Sequence, residues 1–172
     1  MKRVGKEKRL GFTLVEVMTV VAIVGLIAAM SMPNLLRAKN NANEAAAQAT
    51  LKTINAALES YYFIQAPPSY PTDLSVLASM TPPYLTTRIA SSSASTSAAA
   101  TATTGLQGYV YLYQPVTTGT RVYSYSLAAL PKTENVTGGR YFAINTTGVV
   151  FQTTKDNPTG AVTTDPPAGF KP

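Results

Sequence analysis

The segment GFTLVE (residues 11–16) opens an apolar run that extends to Met32 and decides the fold of this chain. Glu16 is the only charged residue in that run. A charged side chain inside a membrane span costs about 2.5–3.5 kcal/mol on insertion scales. Glu16 lies one helical turn after Phe12, so a cut after Gly11 would supply a partner for it by freeing an α-amine at Phe12. That pairing could form within one chain or with a neighbouring subunit.

The residues before this segment predict a basic leader, residues 1–11. Its charged residues are Lys2, Arg3, Lys6, Lys8 and Arg9, with the single acid Glu7. The positive-inside bias keeps this end in the cytoplasm. An ordinary secretory signal is cut after its apolar region, at small residues, and only the weak candidate at residues 28–31 meets that description here. An uncleaved anchor is the stronger alternative, but it explains neither Glu16 nor the Gly11-Phe12 junction.

The next fifty residues predict one long helix. Residues 12–33 form an apolar segment of membrane-spanning length, and residues 34–63 continue as an amphipathic helix. Its apolar stripe consists of Ala47, Leu51, Ile54, Leu58 and Tyr61. The opposite face is predicted to carry Lys52, Asn55 and Glu59. A continuous helix over these residues would be about 75–80 Å long, which suits a filament spine better than the anchor of a small domain.

Two residues of the apolar segment predict special backbone behaviour. Gly25 with Ala29 forms a small-xxx-small pair that permits close helix approach, although such residues are also common in membrane spans. Pro33 removes one helical hydrogen bond, which predicts a kink over residues 29–33.

Residues 64–107 predict a connecting region. Prolines at 67, 68 and 71 end the long helix, and Thr72 is predicted to cap a short helix over Asp73–Ser79 that turns Leu74 and Leu77 inward. Residues 90–104 are almost purely Ala, Ser and Thr, which predicts a loop without a core.

Residues 108–154 predict an antiparallel sheet of about four strands. Tyr109, Tyr111 and Tyr113 alternate with Val110 and Leu112, so the tyrosines share one face. The predicted fold class is therefore α+β, with the second half of the long helix packed on the sheet. Residues 155–172, rich in Pro, Gly and Thr, form a C-terminal tail.

The composition argues against catalysis and against a cofactor. The 172-residue chain has no His, Cys or Trp, which removes the usual general base, thiol nucleophile and transition-metal ligands. Asp156 and Asp165 are weak candidates for calcium ligands, so no metal site is predicted. The net charge of +6 comes mostly from the leader, so it does not predict binding to nucleic acid.

The segment GFTLVE after a basic leader resembles the processing motif of type IV prepilins and type II secretion pseudopilins. The patterns YPTDLSVL (residues 70–77), GYVYLY (108–113) and GGRYFAINTTGVVF (138–151) also resemble regions of these proteins. The resemblance implies a pilin fold, cleavage after Gly11 by a prepilin peptidase and N-methylation of Phe12. It further implies that Glu16 pairs with the Phe12 amine of an adjacent subunit, and that Gly25 and Pro33 bracket helix that melts in the filament.

The resemblance also implies partners and a location. The partners are other copies of this chain, the prepilin peptidase, an inner-membrane assembly platform and, before assembly, membrane lipid. The precursor would lie in the inner membrane with its N-terminus in the cytoplasm, and the assembled subunit in an extracellular pilus.

Three functions remain open at the level of sequence. The first is a structural subunit of a type IV pilus, which the sequence favours. The second is a pseudopilin of a type II secretion system, against which the absence of tryptophan counts. The third is a minor pilin that acts as a tip adhesin or binds DNA during uptake, for which a larger or more basic head is more usual.

Overall fold

The computed structural model describes residues 11–94 and 105–153. Most of the predicted leader, residues 95–104 of the Ala/Ser/Thr-rich segment and the C-terminal tail with Asp156 and Asp165 lie outside the described residues. The elements are, in order, α1 Leu14–Ile64, α2 Ser75–Ser79, α3 Thr87–Ala90, β1 Ser93–Ala94, β2 Tyr109–Thr118, β3 Arg121–Pro131, β4 Tyr141–Asn145 and β5 Val150–Thr153. The chain forms two compact units, which divide between Arg37 and Ala38.

The long helix is confirmed, and its stripe lies in a core. Ala47, Leu51, Ile54 and Leu58 have no exposed surface, and Tyr61 packs against them while partly buried. The helix forms because residues 34–63 contain no Gly or Pro and are rich in Ala, Leu, Lys, Glu and Gln. The helical assignment also continues through Pro33 without a break.

The four-stranded antiparallel sheet is confirmed as a meander of β2, β3, β4 and β5. A fifth, very short strand, β1, pairs in parallel with β2 at its outer edge, with Ser93 opposite Tyr111 and Ala94 opposite Leu112. This strand was not predicted, because two residues of Ser and Ala carry no periodic signal.

The two faces of the sheet hold different residues, as the alternation along β2 predicts. Tyr109, Tyr111 and Tyr113 share a core with the α1 stripe and with β4. Leu112 on the other face belongs to a second buried cluster with Ala128, Leu130, Tyr141, Ala143 and Phe151. The helix therefore covers one face of the sheet with apolar and aromatic side chains.

The connecting region differs from its prediction in three ways. Thr72 does not cap α2, which begins at Ser75; instead, Asp73 Oδ1 accepts a hydrogen bond of 2.7 Å from Ser75 N. An aspartate side chain commonly accepts a hydrogen bond from the backbone N–H two residues later in the chain, which is the spacing of Asp73 and Ser75. Thr72 is one residue farther from Ser75. A second short helix, α3, is also present, and Ser92 in the predicted loop is buried. Leu74 and Leu77 do point inward, with no exposed surface.

Candidate functional site

The residues on either side of the predicted cut are open to solvent. Gly11 and Phe12 precede α1, and Phe12 is 83% exposed. A Cβ built on Gly11 would have no atom within 4 Å. Packing among the described residues therefore does not require glycine at position 11.

Thr13 begins α1 as its N-cap. The Glu16 amide donates a hydrogen bond of 3.2 Å to Thr13 Oγ1, and the Val17 amide donates one of 3.3 Å to the Thr13 carbonyl. Thr13 and Glu16 have the spacing of a capping box, in which the glutamate carboxylate would also accept a bond from the Thr13 amide. That second bond is absent from the hydrogen bonds of the described residues, so only half of the box forms.

The Glu16 carboxylate has no hydrogen-bond or ion-pair partner within residues 11–94 and 105–153. The hydroxyls of Thr19 and Ser31, in the same apolar segment, donate to the carbonyls of Val15 and Ile27 at 2.8 and 2.9 Å. The helix backbone therefore accepts a hydrogen bond from each of these two hydroxyls. The Glu16 side chain is exposed and makes no such bond to the described part of the helix.

The surface around Glu16 is apolar. Every described residue from 11 to 39 is exposed, including the fifteen large apolar side chains between Phe12 and Leu36. The helix contains an 18-residue window apolar enough to cross a membrane, and none of that window is buried. A contiguous apolar surface of this size needs lipid or other protein against it.

Phe12 and Glu16, which the sequence analysis expects to pair, lie together. They line one shallow groove with Val17, Val20 and Val21. Phe12 and Glu16 thus border the same exposed surface.

Gly25 and Pro33 stand apart from this groove, farther along α1. A Cβ built on Gly25 would meet nothing within 4 Å, so the fold of this chain does not need glycine there. Pro33 lies inside the helix, where its missing N–H leaves a carbonyl of the preceding turn without its usual donor.

A buried ion pair joins the helix to the sheet and was not predicted from the sequence. Glu44 is 5% exposed; its Oε2 accepts from Arg140 Nε and Nη2 at 2.6 Å, and its Oε1 accepts from Gly139 N at 2.9 Å. The charged pattern of the helix could not reveal this pair, because its partners are about ninety-five residues away in sequence.

Asn55 and Glu59 are also not where the sequence placed them. They are half-buried beside the stripe, where Asn55 Oδ1 accepts a hydrogen bond from Tyr125 at 2.5 Å and Glu59 Oε1 accepts one from Tyr70 at 3.1 Å. Burial, followed by the negative charge of Glu59, raises the pKa of Tyr70 and Tyr125. Of the three residues predicted for the opposite face, only Lys52 is exposed.

Within the described ranges, no group of three or more acidic residues, histidines or cysteines could hold a metal ion. Glu16, Glu44 and Glu59 lie in separate surroundings and do not form a cluster. The described part of the chain thus offers an exposed apolar surface for association.

The comparisons with known proteins point to the same segment. The family description "Prokaryotic N-terminal methylation motif" matches residues 7–32. The chain therefore carries a prepilin methylation motif, which confirms the resemblance found in its sequence.

Curated relatives match about a third of this chain. The type IV major pilin protein PilA of Myxococcus xanthus is 38% identical over 52 residues, which cover 30% of this chain and 24% of that protein. Type II secretion system core protein G of Pseudomonas aeruginosa is 38% identical over 56 residues, 33% of this chain and 39% of that protein. The same protein of Vibrio cholerae is 43% identical over 54 residues, 31% and 37% of the two chains.

The matched region thus spans about a quarter to two-fifths of these relatives. These relatives are named as a pilin and as secretion-system core proteins, not as enzymes. No solved structure matches the chain significantly.

Proposed function

We propose that this chain is a structural subunit that polymerises into a type IV pilus filament after cleavage behind Gly11 and N-methylation of Phe12. The observation that carries the proposal is the Glu16 carboxylate, which lacks a partner among the described residues and shares an exposed apolar groove with Phe12. The methylation motif over residues 7–32 and the similarity to a major pilin support it.

Assembly follows from the physics of this groove. Helix–lipid contacts and helix–helix contacts are similarly apolar, so moving the segment from lipid into a bundle of helices gains little from hydrophobicity. A Glu16 carboxylate paired with the Phe12 amine of a neighbouring copy is more stable than one left unpaired in lipid. The pair therefore gives subunit addition its direction and register.

The remaining expectations belong to the same proposal. Residues 12–33 hold the precursor in the inner membrane, with the leader in the cytoplasm, and later line the core of the extracellular filament. The helix between Gly25 and Pro33 loosens on assembly, since glycine and proline both weaken helical backbone. A prepilin peptidase, an inner-membrane assembly platform and membrane lipid act as partners before the subunit joins its own copies.

A second candidate, a pseudopilin of a type II secretion system, has one observation in its favour. The identity to secretion core protein G, 38–43% in the relatives above, is as high as the identity to the major pilin. Both functions use the same N-terminal segment, so the choice between them depends on whether the filament extends outside the cell or stays in the envelope.

Peptide mass spectrometry of sheared extracellular fibres and of the cell envelope separates these functions. For a pilus subunit, we expect a peptide that begins at N-methylated Phe12 to dominate the sheared fraction. The same peptide found only in the envelope would favour the pseudopilin. An intact leader in both fractions would leave an anchored domain and refute the proposal.

A further inference from the structure

Two segments of the described residues have the sequence Asn-X-Thr with a middle residue other than proline. They are residues 135–137 (NVT), in the loop between β3 and β4, and residues 145–147 (NTT), where β4 ends. This pattern is the acceptor sequence for N-linked glycosylation, in which a sugar is joined to the asparagine Nδ2. The pattern alone does not choose between the two segments, but the surroundings of the two asparagines differ.

Asn145 is held by its own turn. It is 6% exposed, and its backbone pairs with Ser126 in the neighbouring strand. Asn145 Oδ1 accepts hydrogen bonds from Thr147 N at 3.0 Å and from Thr147 Oγ1 at 2.5 Å. A sugar on Asn145 Nδ2 would have to displace these closely packed neighbours, so this segment is closed to modification in the folded protein.

Asn135 lies on an open loop. Residues 132–136 are all exposed, and Val136 is 55% exposed. The Asn135 side chain makes no hydrogen bond or ion pair with any residue that the structure describes. Its carboxamide can therefore reach an enzyme, and a bulky sugar attached there would be surrounded by water.

The backbone of this loop holds Asn135 in place without using its side chain. Asn135 has a φ of +59°, a left-handed conformation that asparagine adopts more readily than most residues. Its N–H donates to the Gly138 carbonyl at 2.9 Å, and its carbonyl accepts from Asn40 Nδ2 at 3.4 Å. Thr137 Oγ1 donates to the Thr133 carbonyl at 3.0 Å and accepts from Thr133 N at 3.1 Å. These two bonds are exposed, so the hydroxyl can exchange them for bonds to an enzyme.

We propose that Asn135 is a site of N-linked glycosylation and that Asn145 is not. Asn135 Nδ2 attacks the anomeric carbon of a sugar carried on a lipid diphosphate. The bond from that carbon to the diphosphate oxygen breaks and a C–N bond forms, while Nδ2 gives one proton to a base of the transferase and the lipid diphosphate leaves. A lipid-linked donor suits a chain whose own apolar helix is long enough to cross a membrane. The inference rests on the proposed function, because it takes the globular unit to be exported.

Trypsin separates the two segments. Cleavage after Lys132 and Arg140 gives a peptide of residues 133–140 with the first segment, and the next peptide, residues 141–155, contains the second. The full-length protein, purified from the cells that produce it, is digested and analysed by mass spectrometry that preserves glycosidic bonds. We expect the mass of the 133–140 peptide to increase by that of a sugar and the 141–155 peptide to be unmodified.

Substitutions at position 137 separate recognition of the pattern from modification of any exposed asparagine. Thr137→Ser keeps the hydroxyl and should keep the sugar, whereas Thr137→Val keeps Asn135 and should lose it. Asn135→Asp tolerates the same backbone conformation but lacks Nδ2, so the sugar should be lost there too. Thr147→Val, in the closed segment, is the matched control and should leave the 133–140 peptide modified.

An unmodified 133–140 peptide from the unsubstituted protein would overturn the proposal. A sugar on both peptides would also overturn it, because burial would then not govern the choice. A sugar that survives Asn135→Asp would lie on a threonine, and one that survives Thr137→Val would not depend on the pattern. Either result would refute N-linked modification at this site.

Failure of this inference is distinguishable from failure of the proposed function, because the same digest contains the N-terminal peptide. N-methylated Phe12 together with an unmodified 133–140 peptide would refute the glycosylation alone. A sugar on the 133–140 peptide of a chain that keeps its leader would refute the filament alone.

Discussion

At the scale of single residues, Glu16 could serve either its own helix or another subunit. A capping-box residue needs only a hydrogen-bond acceptor, which glutamine also provides, whereas pairing with an ammonium needs the negative charge. The structure shows the Thr13 side of the box and no bond from the carboxylate within the described residues. The two roles therefore make different predictions for one substitution.

We predict that Glu16→Gln leaves cleavage after Gly11 intact but lowers the yield of sheared filaments about tenfold or more. A hydrogen bond to a charged group contributes about 1.5–3 kcal/mol, and 1.4 kcal/mol corresponds to a factor of ten. The ratio of sheared to envelope protein on immunoblots measures this. Thr13→Ser, which keeps the cap, is the control, and normal fibres from Glu16→Gln would assign Glu16 to capping alone.

Two adjacent glycines should differ sharply in their tolerance of alanine. A Cβ on Gly138 would collide with the ring and hydroxyl of Tyr109, which is fully buried and donates a hydrogen bond of 2.8 Å to the Arg140 carbonyl. A Cβ on Gly139 would meet its nearest atoms at 3.7 and 4.0 Å, which is ordinary contact.

Gly138→Ala should therefore destabilise the protein by about 1–3 kcal/mol through overpacking. Gly139→Ala should be neutral or slightly stabilising, since alanine has less freedom to lose on folding. Urea unfolding of the full-length protein in detergent, followed by circular dichroism, gives both midpoints. Coincident midpoints would mean that the Tyr109 ring moves aside at little cost.

At the scale of secondary-structure elements, α1 is joined to the sheet by two kinds of contact. The stripe from Ala47 to Leu58 supplies apolar burial, and Glu44 supplies a polar clamp on the segment that enters β4. Burial of the stripe is non-directional, whereas the clamp needs Gly139 N and the Arg140 guanidinium in fixed places. The clamp therefore fixes where the loop before β4 meets the helix.

Glu44→Ala should cost about 2–3 kcal/mol of unfolding free energy, because it leaves the Gly139 amide and the Arg140 guanidinium without their acceptor. The value lies below that for a fully buried pair because the Arg140 side chain is 41% exposed and can be hydrated. The exposed Glu134 provides the control, since Glu134→Ala should change stability by less than about 0.5 kcal/mol. Similar urea midpoints for the two variants would contradict the role of the clamp.

At the scale of the whole molecule, tyrosines make the core between helix and sheet sensitive to alkali. Burial is the largest cause that raises the pKa of Tyr109 and Tyr111, and of Tyr70, Tyr113 and Tyr125. The Tyr113 hydroxyl donates to the Pro71 carbonyl at 2.6 Å, so the core also binds the connecting region through a phenol. An ionised phenol has no hydroxyl proton, so Tyr113 could then no longer donate this hydrogen bond.

We predict that the contribution of these tyrosines to stability is constant below about pH 10 and falls above it. In the unfolded chain these phenols ionise near pH 10, whereas in the folded protein their pKa is higher, so rising pH favours the unfolded state. In an alkaline titration in detergent, the circular dichroism signal should be lost at the same pH at which the last tyrosines ionise, as followed by tyrosinate absorbance. Complete ionisation of all ten tyrosines while the helix and sheet persist would show that the core is open to water.

The sequence by itself determined the features that repeat locally. The apolar run after Gly11, the stripe on α1 and the alternation of Tyr109, Tyr111 and Tyr113 are periodic, and a period specifies which face is buried without knowledge of the partner. The motif at residues 11–16 is likewise contiguous, so the candidate site was visible before the fold. The short β1 and α3 were not, because they contain too few residues for a pattern.

Only the tertiary structure decided which polar side chains meet. Glu44 reads as one of several charges on a helix, and its value as a clamp depends on Arg140, which is ninety-six residues away. In the sequence, Glu59 and Asn55 belong to the face opposite the apolar stripe. In the structure they accept hydrogen bonds from Tyr70 and Tyr125. The sequence does not distinguish Gly138 from Gly139. They differ in the space available for a side chain, because the Tyr109 ring lies against Gly138 only. Hydrogen bonds and steric contacts depend on distance in space, which local periodicity does not encode.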